Sequence, residues 1–326
     1  MPDRYVVTGV AGFIASRVTE LLLEKDFEVI GLDNLNDAYD TRLKQWRLQR
    51  LQRWPQFRFH PVDICDREAL GVLNDNADKI AAVIHLAARA GIRQSIGNPW
   101  VYVDTNVTGT LNMLQFCRVA GVPKFVLSST SSLYGNANSL PYNEDADTTR
   151  PLSPYAASKQ AAEALCHTFH HLSGLDVSIL RYFTVYGAAG RPDMSIFRFV
   201  RWIYEGEPIR IYGDGGQSRD FTHVEDIARG TISALRPLGY KVINLGSDRP
   251  VALSSLIQTV ERLCGRRGKV ELLPRNEADA ISTWANINRA RELLSWSPVV
   301  GLEAGLETAV RWYRDHREFA CSIALE

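Results

Sequence analysis

Short runs of β-branched and apolar residues alternate with amphipathic stretches through the first 180 residues, the pattern of βα units wound around a parallel sheet. Tyr5, Val6 and Val7 predict a first strand. Residues 12–25 follow as a helix with Ile14, Val18, Leu21 and Leu22 along one face, and residues 27–32 predict a second strand that ends at Asp33. Residues 81–86 and 124–129 predict two further strands, each ending in small or hydroxyl residues, where a doubly wound sheet opens its ligand crevice. Residues 177–182 predict another. After Tyr182 the texture changes: Gly187-Ala-Ala-Gly190 and Gly213-Asp-Gly-Gly216 separate helices from short strands, and residues 254–264 and 302–314 predict helices. The expectation is an α/β fold with the doubly wound sheet in residues 1–183 and a smaller C-terminal α/β substrate-binding lobe in 184–326. Some strands of about 220–246 are expected to return to the main sheet.

Composition narrows the classes without choosing one. Of 326 residues, 45% are hydrophobic and 23% charged, ordinary for a folded domain. The 37 basic residues balance 37 acidic ones, which leaves no overall field to gather nucleic acid or anionic lipid. No apolar stretch has the length of a signal peptide or a membrane span. Cys65, Cys117, Cys166, Cys264 and Cys321 form no CxxC and read as reduced, mostly buried thiols of a cytoplasmic protein. No metal site is expected. Residues 42–53 are basic, with Leu43, Trp46 and Leu51 interleaved; on a neutral chain a solvated helix face is favoured over a nucleic-acid or membrane surface.

The chemistry begins at Thr8-Gly9-Val10-Ala11-Gly12-Phe13-Ile14-Ala15, between the first strand and the first helix. Glycines there let backbone N–H groups meet a pyrophosphate, and the helix dipole favours its charge. The spacing is GxxGxxA, with Ala15 in place of a third glycine. Alone such a turn is weak, because glycines also close turns that bind nothing. Asp33 at the end of the second strand strengthens it: a carboxylate there holds both ribose hydroxyls and repels a 2′-phosphate. Together they predict a Rossmann sheet that binds NAD rather than NADP.

Tyr155-Ala-Ala-Ser-Lys159 places a phenol and an ammonium at i and i+4, on one helix face. A free phenol titrates near 10, so a cation one turn away and a cationic nicotinamide ring would be needed to make it a base near neutrality. Thr130 ends a strand and could offer a hydroxyl to the same substrate oxygen. YxxxK arises by chance as a surface pair, but after a dinucleotide loop and a hydroxyl-rich strand end it points to Thr130, Tyr155 and Lys159 as a catalytic set.

These motifs resemble the extended short-chain dehydrogenase/reductase family, and its NAD-dependent nucleotide-sugar epimerases and dehydratases match nearly the whole chain. The likeness runs through Asp63-Ile64, His85-Leu-Ala-Ala88, Asn106, Ser128-Ser-Thr-Ser-Ser-Leu-Tyr-Gly135, Arg181-Tyr-Phe-Thr-Val-Tyr-Gly187 and Arg219-Asp-Phe-Thr-His-Val-Glu-Asp226. It implies a retained NAD that oxidises a sugar carbon, with Asp63 and Ile64 framing the adenine and Ala87, Ala88 and Asn106 along the cofactor. Gly9, Gly12, Phe13, Ile14, Asp33, Asn34, Leu86, Ser128, Tyr155, Lys159 and Tyr182 complete the expected cofactor contacts. Arg219 would bind a nucleotide diphosphate, with Ile211, Tyr212 and Asp279 in the same substrate-binding group. The family also implies a homodimer built on helices near residues 105–120 and 155–173, with Leu111, Leu114, His167 and His170 as candidate face residues.

The dehydratases of this family carry an Asp-Glu pair after the catalytic Thr, where this chain has Ser131 and Ser132. Hydroxyls cannot supply that acid and base, so dehydration is discarded. Residues 33–40, Gly190-Arg-Pro-Asp-Met194 and Ala90-Gly-Ile-Arg93 are similar to UDP-glucuronate 4-epimerases. A uronate carboxylate would be repelled by acids beside Thr130 but accepts hydrogen bonds from Ser131, Ser132 and Thr184, and Arg191 would add a charged contact. The expected activity is reversible oxidation at C4 of a UDP-hexuronate, UDP-glucuronate to UDP-galacturonate. The alternatives are a UDP-glucose 4-epimerase, a UDP-uronate decarboxylase and, from another class, a non-catalytic NAD-binding sensor. Residues 275–279 replace a Pro-Gly-Asp turn common in relatives, which leaves the nucleotide base open between uracil and thymine.

Overall fold

A strand covered on both faces must be apolar along its whole length, and the β-branched runs of this chain supply such strands. The structure, a computed structural model, describes residues 3–274 and 280–325. Its strands are β1 (Arg4–Thr8), β2 (Glu28–Leu32), β3 (Phe57–His60), β4 (Ile80–His85), β5 (Lys124–Thr130), β6 (Asp176–Tyr182), β7 (Thr184–Tyr186), β8 (Ile209–Tyr212), β9 (Ser218–His223), β10 (Tyr240–Leu245), β11 (Pro250–Ala252) and β12 (Val270–Leu273). Seven form one parallel sheet in the order β10-β6-β5-β4-β1-β2-β3. Every residue of β5 is buried. Neighbouring positions feed opposite cores: Val7 and Val126 pack on one side of the sheet, Val6 and Leu127 on the other.

Chain order reverses between β1 and β4, and there the carboxyl ends of the strands open a crevice. Over it lies a third core, in which Phe197, Phe199 and Ile203 of the helix Ser195–Glu205 pack with Leu306 and Trp312 of the helix Leu302–Asp315. A three-stranded sheet, β11-β9-β7, and the parallel pair β12-β8 complete this region. The stretch expected to return to the main sheet divides. β10 joins it beside β6, whereas β9 pairs with β7 and β11. Strand β3 was not anticipated, because Arg58 and His60 interrupt its apolar run; as the outermost strand of the sheet it need not be covered all round.

Two further expectations change. The basic stretch forms the helix Thr41–Leu51, but Lys44 and Arg47 turn inward and are buried. Arg47 donates to the carbonyls of Ala11 (3.3 Å), Ala189 (2.6 Å) and Gly190 (3.3 Å) and to the Tyr39 hydroxyl (2.8 Å), so part of this face is a structural tie and not a solvated surface. Of the candidate dimer residues, Leu114 is in the core and His167 and His170 pack on the Tyr240 ring, while Leu111 is exposed. All five cysteines are free thiols; Cys117 and Cys166 are buried and the other three are partly exposed. Among the described residues no helix is long and apolar enough to cross a membrane, and no cluster of acidic, His or Cys side chains could hold a metal ion.

One buried pair fixes a helix to the sheet. In the helix Pro154–Ser173, Glu163 accepts from Arg181 of β6, Nε to Oε1 at 3.0 Å and Nη2 to Oε2 at 2.7 Å, and also from the Ser129 hydroxyl. Arg181 Nη1 reaches the Tyr134 hydroxyl at 3.1 Å and the Glu144 carbonyl at 3.0 Å. Removing one member leaves a buried charge without its partner, so Glu163→Ala is expected to lower stability by about 3–5 kcal/mol in urea unfolding, and Glu163→Gln by less.

Candidate active site

The carboxyl ends of β1, β2, β4, β5 and β6 face a cleft of about 890 Å³. At one end is the glycine turn. Gly9 has φ +68°, and a Cβ built there would lie 2.8 Å from the Ala87 backbone; a Cβ on Gly12 would lie 2.8 Å from the Gly9 carbonyl. The helix Phe13–Leu23 starts here without a side-chain cap, so its first N–H groups are left to an anion. Asp33 accepts from Ala11 N at 3.1 Å and Leu35 N at 2.8 Å, and each oxygen keeps a lone pair for a ribose hydroxyl. Asn34 donates to Asp63 at 2.8 Å. This turn, acid and uncapped helix fit a dinucleotide. Phe13, Ile14, Ile64, Leu86, Ala87, Ala88, Ser128 and Tyr182 line the same cleft.

Asn106 is an exception. It sits in a widened π turn, Asp104–Thr108, fully buried and one residue along from Thr105, which lines the cleft. Its side chain accepts from Arg89 N at 2.8 Å and donates to Arg89 O at 3.0 Å and Ser158 Oγ at 2.9 Å, so it holds the loop after β4 in place. Behind it His85 is locked in one tautomer. Thr110 donates its hydroxyl to Asn106 O (2.6 Å) and so accepts from His85 Nε2 (3.1 Å); Nδ1 then accepts from Thr8 Oγ1 (2.9 Å). Burial pushes His85 down to about 3, which keeps it neutral in this chain of contacts.

The candidate catalytic residues meet at the middle of the cleft. Ser153 caps the helix Pro154–Ser173 by accepting from Ala156 N at 3.2 Å, and Pro154 opens its first turn. Tyr155 therefore stands at the helix start and Lys159 one turn later, and both line the cleft with Thr130. Thr130 donates to Ser132 Oγ and accepts from Ser132 N, each at 3.1 Å, so it also caps the turn Ser131–Tyr134. The electrostatics differ from expectation. Burial raises the Tyr155 phenol above its ordinary value, opposed by hydrogen bonding with Thr130 and by the charge of Arg191. Lys159 is almost fully buried, and burial pushes it down to about 8.

Beyond Tyr155, the cleft is lined by Ser131, Ser132, Thr184 and Arg191, and farther out by Ile211, Tyr212 and Arg219. Arg219 donates to the carbonyls of Ser218 (2.8 Å), Ala280 (2.7 Å) and Ile281 (3.2 Å). Asp279 lies outside the described residues. Residues absent from the sequence reading also line the cleft. Lys44 Nζ is 3.8 Å from Asp33 Oδ1, and the Arg93 guanidinium lies 3.7 Å from the centre of the Tyr212 ring. Arg198 and Asp193 join them. Arg93 and Asp193 stood in the segments similar to UDP-glucuronate 4-epimerases and Lys44 in the basic stretch, none of them with a site role of its own; Arg198 had no signal.

The model of the NAD dependent epimerase/dehydratase family matches residues 5–246. The chain belongs to this family. A UDP-glucuronate 4-epimerase of Thermodesulfobacterium geofontis is 54% identical over 320 residues, 98% of each chain. The crystal structure of a UDP-glucuronic acid 4-epimerase from Bacillus cereus, in complex with UDP-glucuronic acid and NAD, superposes with a TM-score of 0.90 at 36% identity, covering 96% of this chain and 99% of that one. A UDP-glucose 4-epimerase of Thermotoga maritima, solved with UDP-glucose, gives a TM-score of 0.89 at 30% identity over 96% and 99%. The common fold thus serves both neutral and acidic sugars, and the choice rests on side chains.

Two outcomes follow from this geometry. Gly9→Ala forces a side chain against the Ala87 backbone in a left-handed conformation, so the purified variant should have lost most of its NAD, read from nucleotides released on denaturation. Lys159 has a folded pKa of about 8 against an unfolded 10.5, so the unfolded chain holds its proton more tightly. The resulting destabilisation is complete below pH 8 and fades as pH rises towards 10.5. Lys159→Met is expected to abolish turnover and yet raise stability at pH 7 by on the order of 2 kcal/mol, measured by thermal unfolding at matched NAD content.

Proposed function

We propose that this protein is an NAD-dependent isomerase that interconverts UDP-glucuronate and UDP-galacturonate at C4. The observation that carries the sugar assignment is the set around Tyr155: two hydroxyls, Ser131 and Ser132, where an acid–base pair would serve dehydration, and Arg191 lining the same cleft. The 54% identical UDP-glucuronate 4-epimerase and the Bacillus cereus complex with UDP-glucuronic acid and NAD support it.

When bound in the glycine cradle, NAD supplies the acceptor and donor of a hydride at C4. The chain's own residues do the rest. Tyr155 takes the C4 hydroxyl proton and returns it, with Thr130 holding the same oxygen by a hydrogen bond. Lys159, one turn along the helix, carries the positive charge that favours the phenolate. Because burial raises the phenol, the field of Arg191 assists by opposing that rise. The 4-keto sugar is a β-keto acid, able to lose carbon dioxide when its C5–C6 bond aligns with the ketone π system. Ser131, Ser132, Thr184 and Arg191 hold the carboxylate out of that alignment while the ring turns its other face to the hydride.

The neutral-sugar reading draws on the Thermotoga maritima likeness. It gives the donor that Arg191 keeps beyond its pair with Asp193 no carboxylate to read. We further infer a homodimer, on the family resemblance and on the apolar groups exposed on the two helices, Leu111 and Val119 on one and Leu172 on the other. The free thiols fit a reducing cytoplasm.

Purified protein should convert UDP-glucuronate to UDP-galacturonate without added reductant; its failure to do so even with NAD added would sink this function. Tyr155→Phe should abolish turnover with NAD still bound. Arg191→Ala should reduce kcat/KM for the acidic sugar by roughly 10–100-fold, the worth of one charge-assisted hydrogen bond, with a much smaller effect on UDP-glucose. Sizing chromatography should return twice the chain mass.

A further inference from the structure

Arg191 is itself held. Its Nε donates to Asp193 Oδ1 at 3.0 Å and its Nη2 to Oδ2 at 2.6 Å, a fork-to-fork ion pair. The same Nη2 donates to the Ala90 carbonyl at 3.2 Å, and the Tyr39 ring lies 5.4 Å from the guanidinium. The Asp193 side chain is 7% exposed, so water screens this pair little. Nη1 donates to no described residue. A guanidinium has two bidentate edges: here Asp193 occupies the Nε–Nη2 edge, and the Ala90 carbonyl takes the second Nη2 proton, so the Nη1–Nη2 edge is reduced to Nη1.

We propose that Asp193 is a positioning residue that clamps Arg191, leaving Nη1 as the single nitrogen that reads the uronate carboxylate. This rests on the uronate assignment above and adds to it how the carboxylate is steered. A one-nitrogen contact fixes the direction from which C6 is held, yet stays weaker than a fork and can be broken and remade as the ring turns. The pair is close to neutral overall, so the substrate carboxylate meets a directed donor and not an uncompensated cation. Without Asp193 the guanidinium is free to rotate and to engage the carboxylate side-on, through its vacated edge. That drags the C5–C6 bond towards alignment with the C4 ketone. In that alignment the bond breaks, its electron pair enters an enolate across C4 and C5, carbon dioxide leaves, and a solvent proton forms a second C–H bond at C5 where C6 was attached.

The test compares wild type, Asp193→Ala and Asp193→Asn, each assayed for folding by circular dichroism and for bound NAD. Epimer formation and carbon dioxide release from UDP-glucuronate are then measured together. Asp193→Ala is expected to release carbon dioxide at least ~10-fold more often per epimerisation and to lower KM for UDP-glucuronate by ~10-fold, the effect of a fork replacing a single charge-assisted contact. Asp193→Asn, which keeps one acceptor, should fall between. A folded, NAD-loaded Asp193→Ala with unchanged KM and unchanged carbon dioxide ratio overturns the inference. A fall in kcat alone, with that ratio fixed, also overturns it, because that is what a merely structural role gives. If the alanine variant does not fold, the asparagine variant decides on the same two readouts. Wild type that turns over no UDP-glucuronate would overturn the function itself; an active wild type with silent variants overturns only the role of Asp193.

Discussion

A parallel strand covered on both faces has room for polar chemistry only where it ends. That constraint organises the molecule. Every residue of β5 is buried, and its last one, Thr130, hydrogen-bonds with the cleft's phenol. β2 ends at the acid that fits a ribose, β1 at the glycine turn, and β4 at the small residues that allow close approach. The reversal of strand order between β1 and β4 then brings these ends to one crevice.

The site is also a concentration of charge taken out of water. Lys159 is buried near Glu163, Arg191 is paired to Asp193, and Lys44 sits beside Asp33. Burying an ion pair seldom adds much net stability, and it serves when it holds a group in one direction. Glu163 and Arg181 illustrate this by tying the helix of Tyr155 to β6. Strand packing therefore offsets a local deficit at the chemistry, a common arrangement in enzymes.

Much of this could be read from local spacing. Gly9 and Gly12, Asp33 after its strand, and Tyr155 with Lys159 are relations of a few residues, and all five line the cleft. What the spacing missed depends on contacts between distant segments. Lys44 looked like part of a solvated basic face until helix Thr41–Leu51 docked beside Asp33. The stacking of Arg93 on Tyr212 joins residues more than a hundred positions apart. Asn106 was placed at the cofactor by resemblance, but the π turn aims its amide at the Arg89 backbone. Strand β3 escaped because an outer strand tolerates the charged residues that hide its period.

Arg47 touches three places at once: the carbonyl of Ala11 in the glycine turn, the carbonyls of Ala189 and Gly190 next to Arg191, and the Tyr39 hydroxyl. One rigid guanidinium thus serves as a common datum for the glycine turn and for the loop that carries Arg191. Thermal displacement of either loop is shared with the other, so their separation fluctuates less than their positions do. For a reaction in which hydride must leave from one face of a sugar and return to the other, constancy of that gap matters more than the stillness of either wall.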